Sequence, residues 1–222
     1  MAPSARTGYA AARNPDRSRE RILSAALREF AAKGFAGARV DAIARRAAIN
    51  KRMLYHYFGG KRGLFRAVLR RKISERKELA EGLSGDPAES LAFWFETACR
   101  DAEWVRLLEW EALQEDGVVI DEKARRSSLA RAVERIRRRQ QRGQISRRFD
   151  ARHVALAMRS LTMFPVAFPQ LTRLITGRSV FDPRFQKERA VFLRQIAAAF
   201  RPTAKPRADR AETTGNPGSG NR

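Results

Sequence analysis

Apolar side chains recur every three or four residues along most of the chain, which is the period of an amphipathic helix. No segment alternates apolar and polar residues in the way that marks a half-buried strand, and no segment repeats. Breaks in the pattern divide it into eight to ten helices. The pattern therefore predicts an all-α protein of about nine helices. The breaks fall at Gly34, Gly59-Gly60, Gly82, Pro165, Pro169 and Pro202.

Three short helices are predicted near the N-terminus. The first carries a core stripe that includes Ile22, Leu27 and Phe30, and Gly34 ends it. The second covers about residues 40–47 and the third residues 51–58, with Asn50 as a good N-cap. A connection of about three residues between the second and third helices is typical of a helix-turn-helix.

Further helix starts are marked by acidic capping residues. Asp86-Pro87 and Asp182-Pro183 each place a cap before a proline at the first helical position. Asp150 is expected to cap another helix, whose far end Pro165 and Pro169 must kink or break. Residues 1–14 and 202–222 lack any apolar period and are predicted to be disordered tails.

The net charge of the chain indicates what kind of partner the protein binds. Its 222 residues include 46 Lys and Arg against 24 Asp and Glu, a net charge of +22. Residues 1–75 hold 18 basic and 5 acidic residues, or +13 of that total. Such a surplus indicates a polyanionic partner, because neutralised phosphates release their counterions. A non-specific nucleoid-type protein that binds nucleic acid by charge alone is the alternative that this surplus leaves open.

Other kinds of site are not indicated. The lone Cys99 excludes an internal disulfide framework, and the two histidines have no partner at metal-ligand spacing. We find no nucleophile–base pair and no phosphate loop, so we expect neither an enzyme nor a cofactor or metal site. No apolar run reaches the ~18 residues of a membrane span. We expect a cytoplasmic protein with no membrane partner.

The stretch "NKRMLYHYFGGKRGLF", residues 50–65, combines charge with aromatic side chains. In a helix-turn-helix, the first turn of the second helix meets base edges in the major groove. Lys51, Arg52 and Met53 occupy that turn, where Lys and Arg can bind guanine. Leu54 and Phe58 are expected to face the core. The polar tips of the intervening aromatic residues and the ammonium of Lys61 suit phosphate oxygens.

These residues carry a resemblance to a known family. "RERILSAALREFAAKGF" and "VDAIARRAAINKRMLYHYFGGKRGLFRAVL" resemble the DNA-binding domain of the TetR family of bacterial transcriptional regulators. Two departures stand out: Arg39 replaces the usual Ser or Thr cap of the second helix, and the groove-reading turn is Lys-Arg-Met. Positions that match the family's DNA contacts, together with the cap Asn50, are Arg39, Asn50, Lys51, Arg52, Met53, Tyr55, His56, Tyr57 and Lys61.

The resemblance implies a repressor that a small-molecule effector releases from a pseudo-palindromic operator. It implies a DNA-binding domain at residues 15–60 and an effector-binding and dimerisation domain at 61–201. The homodimer would form through the last two helices, about 150–175 and 183–200. Large side chains that could line an effector pocket, with plain core as the alternative for each, are Trp94, Phe95, Trp104, Trp110 and Met158.

Overall fold

The computed structural model describes residues 15–83, 86–113 and 119–202. The tails expected at 1–14 and 202–222 lie outside these residues, apart from Pro202. The described residues form ten helices and no strand, which confirms the all-α prediction of about nine helices. The helices are α1 (Pro15–Gly37), α2 (Val40–Arg46), α3 (Lys51–Phe58), α4 (Lys61–Glu81), α5 (Pro87–Arg100), α6 (Ala102–Ala112), α7 (Glu122–Gln141), α8 (Ala151–Ala167), α9 (Pro169–Thr176) and α10 (Pro183–Ala199).

The helix starts follow the local signals in the sequence. Asn50, Asp86, Asp150 and Asp182 each accept a hydrogen bond from the backbone N–H two residues further on. Each side chain thereby satisfies a donor that the first turn of a helix leaves free. Within α1, Gly34 has φ 67° and ψ 179°, so the regular helix is interrupted there, as its glycine predicts.

The first hydrophobic core joins α1 to four other helices, α2, α3, α4 and α6. Phe30 and Phe65 meet edge to face, with ring centroids 4.9 Å apart, and both are buried. Leu54 of α3 is fully buried in the same cluster. Trp104 and Leu107 of α6 also belong to it. This core therefore extends across the boundary expected after residue 60, which stays a prediction.

A second core forms where α10 and α8 pack on α5. Phe95 is fully buried there, and its ring meets Phe185 of α10 at 6.3 Å between centroids. A smaller third cluster, which includes Ile136 and Val154, joins α7 to α8. Met158 of α8 packs against both clusters.

The two prolines in the α8–α9 region act differently. Pro165 lies inside α8 without ending it, and the chain breaks at Phe168 before Pro169 opens α9. A proline has no N–H for the carbonyl four residues earlier, which here belongs to Leu161. That carbonyl instead accepts a hydrogen bond of 2.9 Å from Nη2 of Arg189 on α10. The helix continues through Pro165 because a side chain replaces the missing backbone donor.

Within the described part of the chain, no single helix has both the length and the apolar composition to cross a membrane. Only α8 and α9 taken together reach that length and composition, and the pair is bent by 90°.

Candidate nucleic-acid interface

A tight turn connects α2 to α3. After α2 the backbone N–H of Ala48 donates to the Arg45 carbonyl at 3.0 Å, and Ala48 itself has φ 48°. Arg21 of α1 donates from Nη2 to the Ala48 carbonyl at 3.3 Å. Asn50 then accepts from the Arg52 N–H at 2.8 Å. These bonds fix the first turn of α3 relative to α1 and α2.

The eight residues of α3 divide into a buried and an exposed side. Leu54 has no exposed surface, and Phe58 packs partly buried against the first core, as predicted. Tyr57 also packs against that core, with the His56 ring 5.6 Å from its own. Tyr55, in contrast, is 47% exposed.

The three residues of the first turn differ in their surroundings. Met53 is half-buried, whereas Lys51 and Arg52 are exposed. Lys51 Nζ lies 2.8 Å from the Asp41 carboxylate in the first turn of α2. That hydrogen bond lowers the pKa of Asp41 and raises the pKa of Lys51. The described residues give the Arg52 guanidinium neither a hydrogen bond nor an ion pair. Arg52 can therefore bind a ligand without losing a contact, whereas Lys51 would have to leave Asp41.

The ammonium group of Lys61 has two partners within the protein. Its Nζ donates to the Ala36 carbonyl at 2.9 Å and lies 5.1 Å from the centre of the Phe35 ring. The ammonium thus sits between the end of α1 and the first turn of α4. A phosphate beside the start of α4 would meet a cation whose position is already fixed.

The connection between α3 and α4 requires glycine at two kinds of position. Gly59 has φ 68° and Gly60 φ 127°, so both adopt backbone conformations that favour glycine. Gly63 is needed for a different reason: a Cβ there would lie 1.8 Å from the Phe58 carbonyl oxygen. The sequence pattern indicated the turn at Gly59-Gly60 but did not single out Gly63, which lets α4 start directly against the end of α3.

Arg39 stands at the N-cap of α2 and makes no capping hydrogen bond with its side chain, as its replacement of Ser or Thr predicts. Its backbone N–H donates instead to Glu29 Oε1 at 3.4 Å. Glu29 is buried and also accepts from Lys33 at 2.9 Å, and Arg46 lies 3.5 Å from it. The hydrogen bond from Lys33 contributes most to the lowered pKa of Glu29. Sequence analysis missed this carboxylate, since nothing in the α1 stripe marks an acidic residue as buried.

The five candidate pocket residues do not come together. Trp94 and Trp104 share one neighbour, the Arg76 guanidinium, at 5.9 and 5.7 Å from their ring centres. Phe95 lies in the second core, and Met158 lies between the second and third. Trp110 lies against α1, where its Nε1 donates to the Ala31 carbonyl at 3.2 Å. The structure thus gathers two of the five candidates around one cation.

Two long helices near the C-terminus leave large apolar side chains in solvent. Leu156 and Phe164 of α8 are 62% and 42% exposed. Val191 and Phe192 of α10 are 48% and 40% exposed. Contiguous exposed apolar patches are typical of interaction sites. Both helices belong to the segments expected to form the dimer.

Two family models match separate stretches of the chain. Residues 22–68 match the model for "Bacterial regulatory proteins, tetR family", and residues 89–201 match the model for "Tetracyclin repressor-like, C-terminal domain". The chain belongs to the TetR family. The HTH-type transcriptional repressor SCO4008 of Streptomyces coelicolor is 34% identical over 172 residues, which cover 75% of this chain and 88% of that repressor. The repressor NicS of Pseudomonas putida is 35% identical over 111 residues, which cover 47% and 52%.

Solved structures agree on the fold. The putative transcriptional regulator SCO4942 from Streptomyces coelicolor superposes with a TM-score of 0.70 at 24% identity, covering 83% of this chain and 98% of that one. The transcriptional regulator FadR from Bacillus subtilis, in complex with stearoyl-CoA, gives 0.60 at 17% identity, with 78% and 96% covered. Both superpositions support the helical fold of this chain.

Proposed function

We propose that this TetR-family regulator is a dimeric repressor, acting in the bacterial cytoplasm on the nucleoid, and that a small-molecule effector releases it from a pseudo-palindromic operator. The observation that carries the proposal is the first turn of α3. Asn50 caps it, α1 and α2 hold it in place, and it presents Arg52 with no competing partner among the described residues. A charge-only binder would not need a cation presented on a fixed helix turn.

In this proposal the residues of the interface divide into two roles. Arg52 binds base edges in the major groove, with Lys51 and Met53 beside it. Phosphates are contacted by the side chains around this turn, which set the register of the protein on the duplex but read no sequence. The phosphate-contacting residues are Arg39, Tyr55, His56, Tyr57 and Lys61.

The exposed apolar faces of α8 and α10 support a homodimer. A second copy packed on Leu156, Phe164, Val191 and Phe192 would form a four-helix interface and remove these side chains from water. Two-fold symmetry then sets two α3 helices about one DNA turn apart, which is why the operator should be pseudo-palindromic.

Two contacts support communication between the helical C-terminal part and α3. α6 packs on α1 through Trp110, and the α4 residues Lys72 and Arg76 both bind the Asp101 carboxylate, at 2.7 and 2.8 Å. A ligand that moves α6 or α4 would change the spacing of the two α3 helices. The structural neighbour FadR is in complex with stearoyl-CoA. That precedent supports a small-molecule effector for this chain too.

The test is a mobility-shift assay with the purified protein on its own upstream intergenic DNA and on random DNA of equal length, at two salt concentrations. The proposal predicts a discrete complex on the upstream fragment that survives the higher salt, because base contacts add to the phosphate term. Equal binding to both DNAs, lost together as salt rises, would instead support a non-specific nucleic-acid-binding protein.

A further inference from the structure

An open groove lies between α1 and the end of α2. It has a volume of about 250 Å³, and most of the side chains that line it are polar or charged. Arg21, Ser24 and Arg28 line it from α1, where their spacing places them on one face of the helix. Arg46, the last residue of α2, lines it as well. Three guanidinium groups from two helices therefore border one groove.

The carboxylates near these arginines are already paired. Glu20 also lines the groove, but its carboxylate lies 2.6 Å from Nη1 of Arg71 on α4. Glu29 is buried and lies 2.9 Å from Lys33. Arg46 is 3.5 Å from the second oxygen of Glu29, which is longer than a charge-assisted hydrogen bond. The groove therefore keeps a surplus of positive charge.

Most hydrogen-bond donors of the groove have no partner within the described part of the chain. Arg28 is exposed, and the described residues give its guanidinium neither a hydrogen bond nor an ion pair. They give the hydroxyl of Ser24, one turn earlier, no hydrogen bond either. Arg21 donates to the Ala48 carbonyl from Nη2. Because a guanidinium carries several N–H groups, the other donors of Arg21 can still bind an oxyanion.

The contact of Arg21 with Ala48 places one end of the groove next to the start of α3. Ala48 lies two residues before Asn50, the cap of that helix. Arg21 and Arg28 are seven residues apart, which is about 10.5 Å along a helix. Phosphates of one DNA strand follow one another at about 3.4 Å along the axis of the duplex. The two arginines can therefore meet phosphates of the same strand that are about three steps apart.

We propose that this groove binds the phosphate backbone of DNA beside the segment that α3 contacts. Arg28 and Arg46 bind the phosphate oxygens, and the Ser24 hydroxyl donates a further hydrogen bond. This inference rests on the proposed function, to which it adds a second phosphate-binding surface. The contacts expected from the sequence lie at Arg39 and within residues 50–61, so the groove extends the interface onto α1 and the end of α2.

The experiment measures fluorescence anisotropy of upstream intergenic DNA and of random DNA across a salt series, with the full-length protein and three variants. Arg28→Gln removes the charge, and Arg28→Lys keeps it. Arg142→Gln is the control, because Arg142 is exposed at the end of α7 and its guanidinium also has no partner among the described residues. Thermal unfolding should give the wild-type midpoint for all three variants, since neither guanidinium supports the fold.

Arg28→Gln should flatten the plot of log affinity against log salt by about 0.9 units on both DNAs, because one phosphate contact is lost. Extrapolated from equal affinity at about 1 M salt, this slope corresponds to about eightfold weaker binding at about 0.1 M. The preference for upstream DNA should not change, since phosphate contacts carry no sequence information. Arg28→Lys should keep most of the wild-type slope, and Arg142→Gln should keep all of it.

A wild-type slope for Arg28→Gln on both DNAs would overturn the inference. An equal loss in Arg142→Gln would also overturn it, because the effect would then belong to the net charge. Calorimetry with inorganic phosphate tests the other source of the same anion. If Arg28→Gln abolishes phosphate binding but leaves the DNA slopes unchanged, the groove holds a free anion instead of DNA.

Failure of the proposed function gives a different result. The wild type would then show no preference for the upstream fragment, while the slopes on random DNA would still decide whether Arg28 contacts a phosphate. If the preference is present and Arg28→Gln keeps the wild-type slope, only the assignment of the groove is wrong.

Discussion

The indole Nε1 of Trp110 donates a hydrogen bond to the Ala31 carbonyl oxygen, 3.2 Å away, across 79 positions of the sequence. The same ring lies over Gly34, where a Cβ would be 2.7 Å from two of its carbon atoms. Trp110, a candidate for the effector pocket with plain core as its alternative, thus packs α6 against α1. Close approach of the two helices depends on the absence of a side chain at Gly34.

Gly34→Ala should therefore lower the free energy of unfolding. The backbone at Gly34, with φ 67° and ψ 179°, is a region that only glycine adopts easily, and it adds about 1–3 kcal/mol of strain. The clash with Trp110 adds about 1–3 kcal/mol of overpacking. Denaturant unfolding of Gly34→Ala in the wild-type and Trp110→Ala backgrounds separates the two effects. An equal loss in both backgrounds would mean that the indole does not restrict position 34. Gly143→Ala, at φ 69° with open space around it, is the control for positive φ alone.

Arg189 and Pro165 should be coupled through the Leu161 carbonyl. Replacing Arg189 with Met removes the charged donor to that carbonyl and should destabilise the protein by about 1.5–3 kcal/mol. In a Pro165→Ala background, the backbone N–H at position 165 regains the bond to Leu161, so the same replacement should cost less. A double-mutant cycle at fixed protein concentration measures this coupling. Strictly additive effects would show that the guanidinium does not substitute for the backbone donor.

The sequence alone predicts several helix starts, but it does not predict the course of α8 through Pro165. The starts of α3, α5, α8 and α10 were predictable because a cap and its N–H are neighbours in sequence. The continuation of α8 through Pro165 was not, because the donor that permits it comes from α10.

The same distinction applies to the candidate sites. The exposed and buried sides of α3 follow from helical spacing, and the structure confirms the inward-facing Leu54. The position of Trp110 against α1 and the burial of Glu29 depend on contacts between residues that are distant in sequence. Periodicity reports which residues are apolar, but it does not report which helix each one meets.

Asp41 should weaken DNA binding by holding Lys51. Asp41→Asn leaves the Lys51 ammonium without its partner and removes a negative charge from the interface. We expect tighter binding to operator and random DNA alike, with a steeper dependence on salt, since one more cation is free to neutralise a phosphate. Fluorescence anisotropy across a salt series measures both quantities. Glu122→Gln on α7 removes an equal charge outside the proposed interface, and an equal gain there would attribute the effect to net charge.

Replacing Arg52 and replacing Lys61 with alanine should have different effects on DNA binding. Arg52→Ala should weaken operator binding by about 1–3 kcal/mol and reduce discrimination between bases, as expected for a side chain that reads a base edge. Lys61→Ala should weaken binding to all DNA alike and flatten the salt slope by about one unit. Anisotropy titrations on operator and random DNA separate the two. If Arg52→Ala affects both DNAs equally, Arg52 does not read bases.

Leu156→Glu should convert the dimer into monomers, because it places a charge in the proposed interface of α8 and α10. Leu113→Glu is the matched control: Leu113 is 73% exposed at the end of α6, against 62% for Leu156. Sedimentation velocity should show monomers for the first variant and dimers for the second. A dimer that survives Leu156→Glu would place the interface elsewhere.

The measurement that tests the central claim most directly is a footprint of the protein on the upstream DNA fragment. A dimer with one α3 in each of two neighbouring major grooves predicts two protected half-sites, related by a two-fold axis, with centres about 10 base pairs apart. Arg52→Ala should lose this pattern while non-specific binding remains. Protection spread evenly along the fragment, unchanged in Arg52→Ala, would contradict sequence-specific recognition by α3.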